Sequence, residues 1–142
     1  MMVVLRSAVA IAILALMIAL AVAGVASAAT FVGDQWPNTL TGGPLDDTLY
    51  GLDRGDHLYG GVKDDKLYGG QGPDVLHGGY GDDYLNGGRG YDTIIGGPDH
   101  DTIEAYDLRP DLIKCGGGVD RVAADTEDRG FDNCEWVNGE KR

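Results

Sequence analysis

Residues 42–104 consist of seven consecutive nine-residue blocks, GGPLDDTLY, GLDRGDHLY, GGVKDDKLY, GGQGPDVLH, GGYGDDYLN, GGRGYDTII and GGPDHDTIE. Position six is always aspartate: Asp47, Asp56, Asp65, Asp74, Asp83, Asp92 and Asp101. Position eight is always aliphatic: Leu49, Leu58, Leu67, Leu76, Leu85, Ile94 and Ile103. Because two kinds of side chain recur at one fixed spacing, the stretch is a structural repeat and not a bias in composition.

A unit of nine residues is too short for a pair of helices, but it accommodates a glycine turn followed by a three-residue strand. In such a strand only the middle side chain points to one face, so position eight is expected to face inward. The chain must then coil, and the Leu and Ile side chains form a thin apolar column along its axis.

The pattern resembles the GGxGxDxUx repeat of the hemolysin-type, or RTX, calcium-binding family, which is a nonapeptide β-helix repeat. The resemblance implies an all-β fold, a right-handed parallel β-roll in which two blocks make one turn. Calcium ions would then lie between stacked turns on the same side. A two-block turn agrees with Asp46, Asp64 and Asp82, which place a second acid at position five in alternate blocks.

The resemblance also implies the ligands, which are the seven position-six aspartates and main-chain oxygens of the glycine turns. The glycines assigned to this role are Gly60, Gly69, Gly72, Gly78, Gly81, Gly87, Gly90 and Gly96. Calcium suits such a set because it takes about six to eight oxygen ligands from carboxylates and carbonyls. The sites between Gly69 and Asp92 are the firmest, because Arg54, Lys63 and other residues replace the position-four glycine elsewhere.

Electrostatics also favours a cation. Stacked turns lie about 4.8 Å apart, so aspartates one turn apart form two columns of like charge. Neighbouring carboxylates would repel by roughly 3 kcal/mol at an effective dielectric near 20. The alternative, that aspartate serves only as a turn former, does not explain why Asn or Ser takes its place in none of the seven blocks. We therefore expect folding to be coupled to calcium binding.

The first 28 residues resemble a secretory signal segment. Arg6 is the only charged side chain before an apolar run from Ala8 to Ala23, and Ala26-Ser27-Ala28 fits an A-x-A cleavage site. We expect a secreted, extracellular protein that has no membrane contact after cleavage. An uncleaved N-terminal anchor is the alternative.

Loss of the leader would remove Arg6 and no acid, leaving 10 basic side chains against 23 acidic ones, a net charge of −13. Such a surface makes nucleic acid a poor partner.

The remaining chain divides into an N-terminal cap (29–41), the roll (42–123) and a C-terminal cap (124–142). Phe31, Val32 and Trp36 are expected to cover the first turn, and Phe131 and Trp136 the last, because an open solenoid end exposes core and unpaired strand edges. Asn38 occupies the aspartate position of an imperfect leading block. After Glu104 the frame slips by one residue and resumes, with Asp111 and Asp120 at position six.

The two cysteines, Cys115 and Cys134, both lie near the C-terminus. An even number of cysteines in an exported chain predicts one disulfide, which would tie the C-terminal cap to the last turn. A loop of about twenty residues closed in this way would contribute roughly 3 kcal/mol in the chain-entropy model. Zinc is less favoured, because no histidine cluster or second cysteine pair completes four ligands.

No enzyme is expected. Both serines, Ser7 and Ser27, fall in the leader, and the three histidines form no known metal-hydrolase motif. The preferred function is a stand-alone secreted calcium-binding protein.

Two alternatives to this function remain open. One is a calcium-dependent adhesion or glycan-binding module, with Tyr50, Tyr59, Tyr68 and Tyr84 turned toward a cell-surface glycan or another surface protein. The other, a polysaccharide-active enzyme, is less favoured because no catalytic constellation stands out from the repeat.

Overall fold

The computed structural model describes residues 27–141, so the predicted leader lies almost wholly outside the described residues. Within residues 27–141 the chain forms fourteen β-strands and no helix. Consequently no helix that could cross a membrane occurs in this part of the chain.

The strands follow the repeat, and most begin directly after a position-six residue. They are β1 (Thr30–Val32), β2 (Thr39–Gly43), β3 (Thr48–Asp53), β4 (His57–Val62), β5 (Lys66–Gln71), β6 (Val75–Tyr80), β7 (Tyr84–Arg89), β8 (Thr93–Gly97), β9 (Thr102–Ala105), β10 (Leu112–Gly116), β11 (Arg121–Ala124), β12 (Arg129–Asp132), β13 (Trp136–Val137) and β14 (Glu140–Lys141).

Successive strands alternate between two sheets. One sheet has the order β1-β3-β5-β7-β9-β11-β13-β14 and the other β12-β10-β8-β6-β4-β2. Every pairing is parallel except the terminal hairpin of β13 and β14. Two blocks therefore make one turn, and the chain forms a β-solenoid of about 6 turns. The predicted parallel roll is confirmed, whereas its right-handed sense stays a prediction.

The position-eight side chains form the core, as predicted. In the register of the first sheet Leu49 pairs with Leu67, and in the second Leu58 pairs with Leu76. All seven of these Leu and Ile side chains are 0% exposed. Ile113, Val122 and Val137 continue the same cluster through the irregular C-terminal blocks.

Most of the glycine turns have a left-handed backbone at two positions of the block. At position two, Gly61 and Gly79 have φ of 121° and 119°, and at position four Gly72 and Gly81 have φ of 120° and 125°. Four of the five residues that replace glycine at these positions keep the same conformation: Leu52 (φ 85°), Arg54 (φ 73°), Lys63 (φ 80°) and Asp99 (φ 84°). Leu45, at position four of the first block, has no positive φ. A side chain in that region costs roughly 1–2 kcal/mol.

The parallel ladders run beyond both predicted cap boundaries, which stay predictions. At the N-terminus β1 and β2 pair in parallel with β3 and β4. Phe31 packs against the core, but Val32 and Trp36 are 59% and 58% exposed. The expectation that these two side chains cover the first turn is wrong. Trp36 instead lies under the Arg54 guanidinium, 5.5 Å from the ring centroid.

At the C-terminus the roll continues through β12 and β13, and the antiparallel β14 ends one sheet. Phe131 packs against the core as predicted, whereas Trp136 is 36% exposed and the adjacent Val137 is the inward residue. The predicted disulfide between Cys115 and Cys134 is confirmed.

Because Lys63 stands at a left-handed position, Lys63→Gly should raise the free energy of unfolding. Relief of the side-chain strain, about 1–2 kcal/mol, outweighs the entropy that glycine adds to the unfolded chain, about 0.5–1 kcal/mol. Urea unfolding of both proteins in one buffer measures the difference. The neighbouring Val62 lacks a positive φ, so Val62→Gly should be destabilising, and an equal loss in both variants would contradict the strain argument.

Candidate metal centre

The position-six aspartates face the interior of the roll. Side chains alternate along a strand, so position six and position eight share one face. Asp56, Asp65 and Asp74 are accordingly between 0% and 1% exposed, and the other four predicted aspartates are between 1% and 5% exposed. The acids therefore lie beside the apolar column and not on the solvent surface of the turn.

One oxygen of each carboxylate is tied to the preceding turn. Asp65 Oδ1 accepts the main-chain N–H of Asp47 at 2.7 Å, and Asp83 Oδ1 accepts that of Asp65 at 2.8 Å. On the opposite side Asp74 Oδ1 accepts the N–H of Asp56 at 2.7 Å. The same bond recurs 18 residues apart along both columns. The two predicted carboxylate columns are therefore present and are linked through the backbone.

Within residues 27–141, the second oxygen of most of these carboxylates has no hydrogen-bond partner. Eight Oδ2 atoms are buried without a hydrogen bond: those of Asp56, Asp65, Asp74, Asp83, Asp92, Asp101, Asp111 and Asp120. An unsatisfied buried acceptor costs about 1–3 kcal/mol, and more when it is charged. A row of such atoms marks places where a proton or a cation would complete the structure.

Burial also raises the pKa of these carboxyls above the usual 3.8. The pKa is about 7 for Asp74, Asp83, Asp101 and Asp111, and about 6 for Asp65 and Asp92. Loss of hydration is the largest cause, and neighbouring carboxylates raise the pKa further. The N–H donated from the turn below lowers the pKa without offsetting burial.

The position-one glycines bring main-chain oxygens to the orphaned carboxylate atoms. A Cβ placed on Gly60 would lie 2.5 Å from both Asp65 Oδ2 and the carbonyl oxygen of Gly78. The same arrangement recurs at Gly51, with Asp56 Oδ2 and the Gly69 carbonyl. The carbonyl oxygens that lie close to such an added Cβ together with an aspartate oxygen are those of Gly60, Gly69, Gly78, Gly87 and Gly96. All five predicted position-one glycines are thus beside the carboxylate columns.

The position-four glycines lie in the outer part of the turn. A Cβ on Gly90 would meet the Gly72 carbonyl oxygen and would lie 2.9 Å from Asp92 Oδ1. A Cβ on Gly81 would meet the Lys63 carbonyl in the same manner. Gly90 therefore stacks on Gly72, and Gly81 stacks on Lys63 on the other side of the roll. Gly90 also borders its carboxylate on the Oδ1 side.

The second acids, predicted from their spacing, have a different role. Asp64 Oδ1 accepts the main-chain N–H of Asp82 at 3.0 Å, and Asp82 Oδ1 accepts that of His100 at 2.9 Å. His100 Nδ1 then accepts the N–H of Val119 at 2.8 Å. These exposed side chains link the turns along one side of the roll.

Both columns continue through Asp111 and Asp120, as the resumed frame predicts, and then extend further. Asp111 Oδ1 accepts the N–H of Asp92, and Asp120 Oδ1 accepts that of Asp101. Asp128 and Glu135, which the sequence analysis missed, close the columns by accepting the N–H groups of Asp111 and Asp120. The signal for Glu135 is its place two residues before the inward Val137, because the same spacing separates positions six and eight in every block.

The site is made of oxygens from different turns. Within residues 27–141 no three His, Cys, Asp or Glu side chains converge on one point, because each turn contributes one carboxylate to each column. Carbonyl oxygens must therefore complete any ligand set. Buried, orphaned carboxylate oxygens beside glycine carbonyls fit a hard cation that prefers oxygen, and calcium is the common ion of this kind.

Comparison with known proteins agrees with this geometry. A family model described as RTX calcium-binding nonapeptide repeat (4 copies) matches residues 41–76, 59–94 and 77–107. No curated protein and no solved structure matches the chain significantly. RTX nonapeptide repeats bind Ca²⁺. Residues 41–107 are thus RTX calcium-binding nonapeptide repeats of the hemolysin type.

Proposed function

We propose that this chain is a secreted protein whose roll holds several Ca²⁺ ions between stacked turns and folds when it binds them. The observation that carries the proposal is the row of eight buried Oδ2 atoms that have no partner. The ligands would be the position-six carboxylates together with the glycine carbonyls beside them. Asp47, which lies at the N-terminal end of its column and is 5% exposed, would be the weakest of the seven predicted aspartate ligands.

The coupling between metal binding and folding follows from comparing the net stability of a small domain with the cost of its unsatisfied carboxylate oxygens. A small domain has a net stability of about 5–15 kcal/mol, and eight unsatisfied acceptors at about 1–3 kcal/mol each can consume all of it. Ionised carboxylates cost still more, because burying a charge without a partner carries a larger penalty. A divalent cation removes that penalty and binds only the folded arrangement, so its binding free energy becomes folding free energy.

Two features support a location outside the cell. Calcium sites of extracellular modules have dissociation constants of about 0.1–1 mM, which suits the calcium-rich extracellular medium. The Cys115–Cys134 disulfide is typical of oxidising compartments. The predicted signal segment is consistent with both, and we therefore retain secretion as part of the proposal.

The arrangement of the tyrosines does not favour the glycan-binding alternative. Tyr50 and Tyr68 stack with ring centroids 4.9 Å apart and an interplanar angle of 9°, and Tyr59 stacks on His77 at 5.0 Å. A sugar platform requires a free ring face, whereas these rings cover one another across neighbouring strands. The ladder is accordingly explained by cross-strand packing.

No feature of the described residues favours an enzyme. His77 stacks on Tyr59, and His100 accepts a main-chain N–H, so neither is placed as a general base beside a nucleophile. We infer that the chain is not enzymatic and that its carboxylates serve the metal and the fold.

Titration of calcium into the chelator-treated protein should produce strand signal cooperatively, with a midpoint of about 0.1–1 mM. Circular dichroism follows the folding and calorimetry the binding. Magnesium should replace calcium poorly, because it demands near-octahedral geometry and dehydrates reluctantly. A chelated protein with full strand signal and no heat on calcium addition would rule out both halves of the proposal.

Asp83→Asn separates the metal role of the carboxylate from its structural role. The amide keeps an oxygen for the Asp65 N–H, and its nitrogen would lie near the Gly96 carbonyl. The calcium midpoint should therefore rise about tenfold, while the metal-free protein becomes more stable because a buried charge is gone. Calcium titration and urea unfolding in chelator measure the two effects.

Asp47→Asn is the matched control for this substitution. It makes the same chemical change at the N-terminal end of the same column, where the carboxylate accepts the Ala29 N–H. Its calcium midpoint should move less than that of Asp83→Asn, because Asp83 lies between two further aspartates. Equal shifts in the two variants would contradict the assignment of ions to the gaps between turns.

Calcium binding and the metal-free fold should respond to pH in opposite directions. The folded pKa values of about 6–7 lie above the usual 3.8, so the folded metal-free protein binds more protons than the unfolded chain. Its stability is greatest below about pH 4 and is lost as the pH rises toward 7. Calcium requires the ionised carboxylates, so its affinity should fall as the pH drops from 7.5 to 5.5.

Calcium titrations at pH 7.5, 6.5 and 5.5 test the second statement, and strand signal in chelator between pH 7.5 and 4 tests the first. A calcium midpoint that does not change over this range would show that the buried carboxylates do not bind the ion.

A further inference from the structure

The first hydrogen bond of one carboxylate column differs from the others in its donor. Asp47 Oδ1 accepts the main-chain N–H of Ala29 at 2.7 Å. In the bonds that follow, the donor is the main-chain amide of an aspartate, as in the bond from Asp47 to Asp65 Oδ1. Ala29 is also the residue that follows the predicted cleavage motif Ala26-Ser27-Ala28. Removal of the leader would therefore convert this donor from an amide into an α-amino group.

Contacts with the next turn fix the position of Ala29. Its carbonyl oxygen accepts the main-chain N–H of Thr48 at 2.9 Å, and its nitrogen donates to Asp47. β1 then continues in register with β3, with Thr30 opposite Thr48 and Phe31 opposite Leu49. Both ends of Ala29 are thus held by the roll, and these contacts do not involve the residues before it.

The bond between Ala28 and Ala29 lies just outside the regular structure. β1 begins at Thr30, and Ser27 and Ala28 are exposed and belong to no strand, whereas Ala29 is half-buried. Exposed chain without secondary structure is where proteolytic cleavage concentrates. The boundary between such chain and the roll therefore coincides with the bond that the motif marks.

We propose that cleavage between Ala28 and Ala29 makes this first hydrogen bond an ion pair, in which the new α-ammonium group of Ala29 is a fixed cation for the Asp47 carboxylate. The inference rests on removal of the leader, which is part of the proposed function. Water hydrolyses the peptide bond: its OH goes to the carbonyl carbon of Ala28 and its proton to the nitrogen of Ala29. The resulting amino group is largely protonated at neutral pH.

The ammonium group compensates a carboxylate that a calcium ion would compensate poorly. Asp47 is only 5% exposed, so its charge is largely removed from water. Ala29 stands 18 residues before Asp47, at the position-six place of the first turn, and brings no side-chain oxygen. A cation between these two turns would therefore find a carboxylate on one turn only. A hydrogen bond between ionised partners is about twice as strong as a neutral one, so the N-terminus serves in place of the ion.

The cleavage site is tested by export of the full chain with its own leader, followed by mass spectrometry of the secreted protein, which should begin at Ala29. The ion pair is tested by inserting one serine between Ala28 and Ala29. This insertion keeps the cleavage motif and the N–H of Ala29 but moves the charge one residue away from Asp47. In urea unfolding at saturating calcium, the unfolding constant should be about fivefold larger in the insertion variant.

Asp47→Asn completes a double-mutant cycle, because the amide keeps an oxygen for the N–H of Ala29 and removes the negative charge. In that background the same insertion should leave the unfolding constant unchanged. An insertion that has the same effect with and without Asp47→Asn would overturn the inference, since the effect would then come from the added residue and not from the ion pair.

A secreted chain that begins at a residue other than Ala29 would also overturn the inference. A leader that is not removed would contradict the secretion part of the proposed function as well, whereas cleavage at Ala29 without coupling to Asp47 rejects the ion pair alone. Failure of the calcium proposal is distinguishable, because calcium heat and strand signal are measured separately on the same proteins.

Discussion

The hydrogen bond from a main-chain N–H to the position-six carboxylate of the next turn is the interaction on which this structure depends. It begins at Ala29 and Asp47 and ends at Asp120 and Glu135 on one side of the roll. Each bond fixes the spacing of two turns through one oxygen, and from Asp56 to Asp120 the other oxygen of the carboxylate is buried with no hydrogen-bond partner among the described residues. The residue that sets the register therefore also creates the demand for a cation, which is the basis of the proposed coupling between folding and metal binding.

The exact nine-residue period made most of the fold predictable. A strict repeat allows one solution for every block, so the inward position-eight residues, the two-block turn and the continuation through Asp111 and Asp120 could all be inferred. The inward direction of the carboxylates also followed from the pleat, because positions six and eight share a face. A strand predicted to begin at position seven leaves position six in the turn, so the burial of the aspartates was not predicted. The hydrogen bond to the preceding turn depends on the stacking distance and could not be inferred from one block.

The chain ends were less predictable because they depart from the period. The block before Asp128 is one residue short, and Glu135 stands in a segment that lacks the glycine pattern. Their roles depend on the backbone N–H groups that the last aspartates offer, which no local pattern encodes. Val32 and Trp36 are apolar, yet their position at the open end determines that they remain exposed. Composition alone cannot distinguish a covering side chain from one that projects into solvent.

The position-one residues show that the roll changes its source of stability along its length. In the regular turns this residue is glycine, because a Cβ would collide with an aspartate oxygen and a carbonyl of the next turn. Ala105, Cys115 and Ala124 replace it in the last turns, where their side chains are at most 1% exposed and join the apolar core. The disulfide from Cys115 lies in this part as well. Further apolar contacts and a covalent bond thus supplement the carboxylate ladder at one end, while the regular turns are held by that ladder and by the column of Leu and Ile side chains.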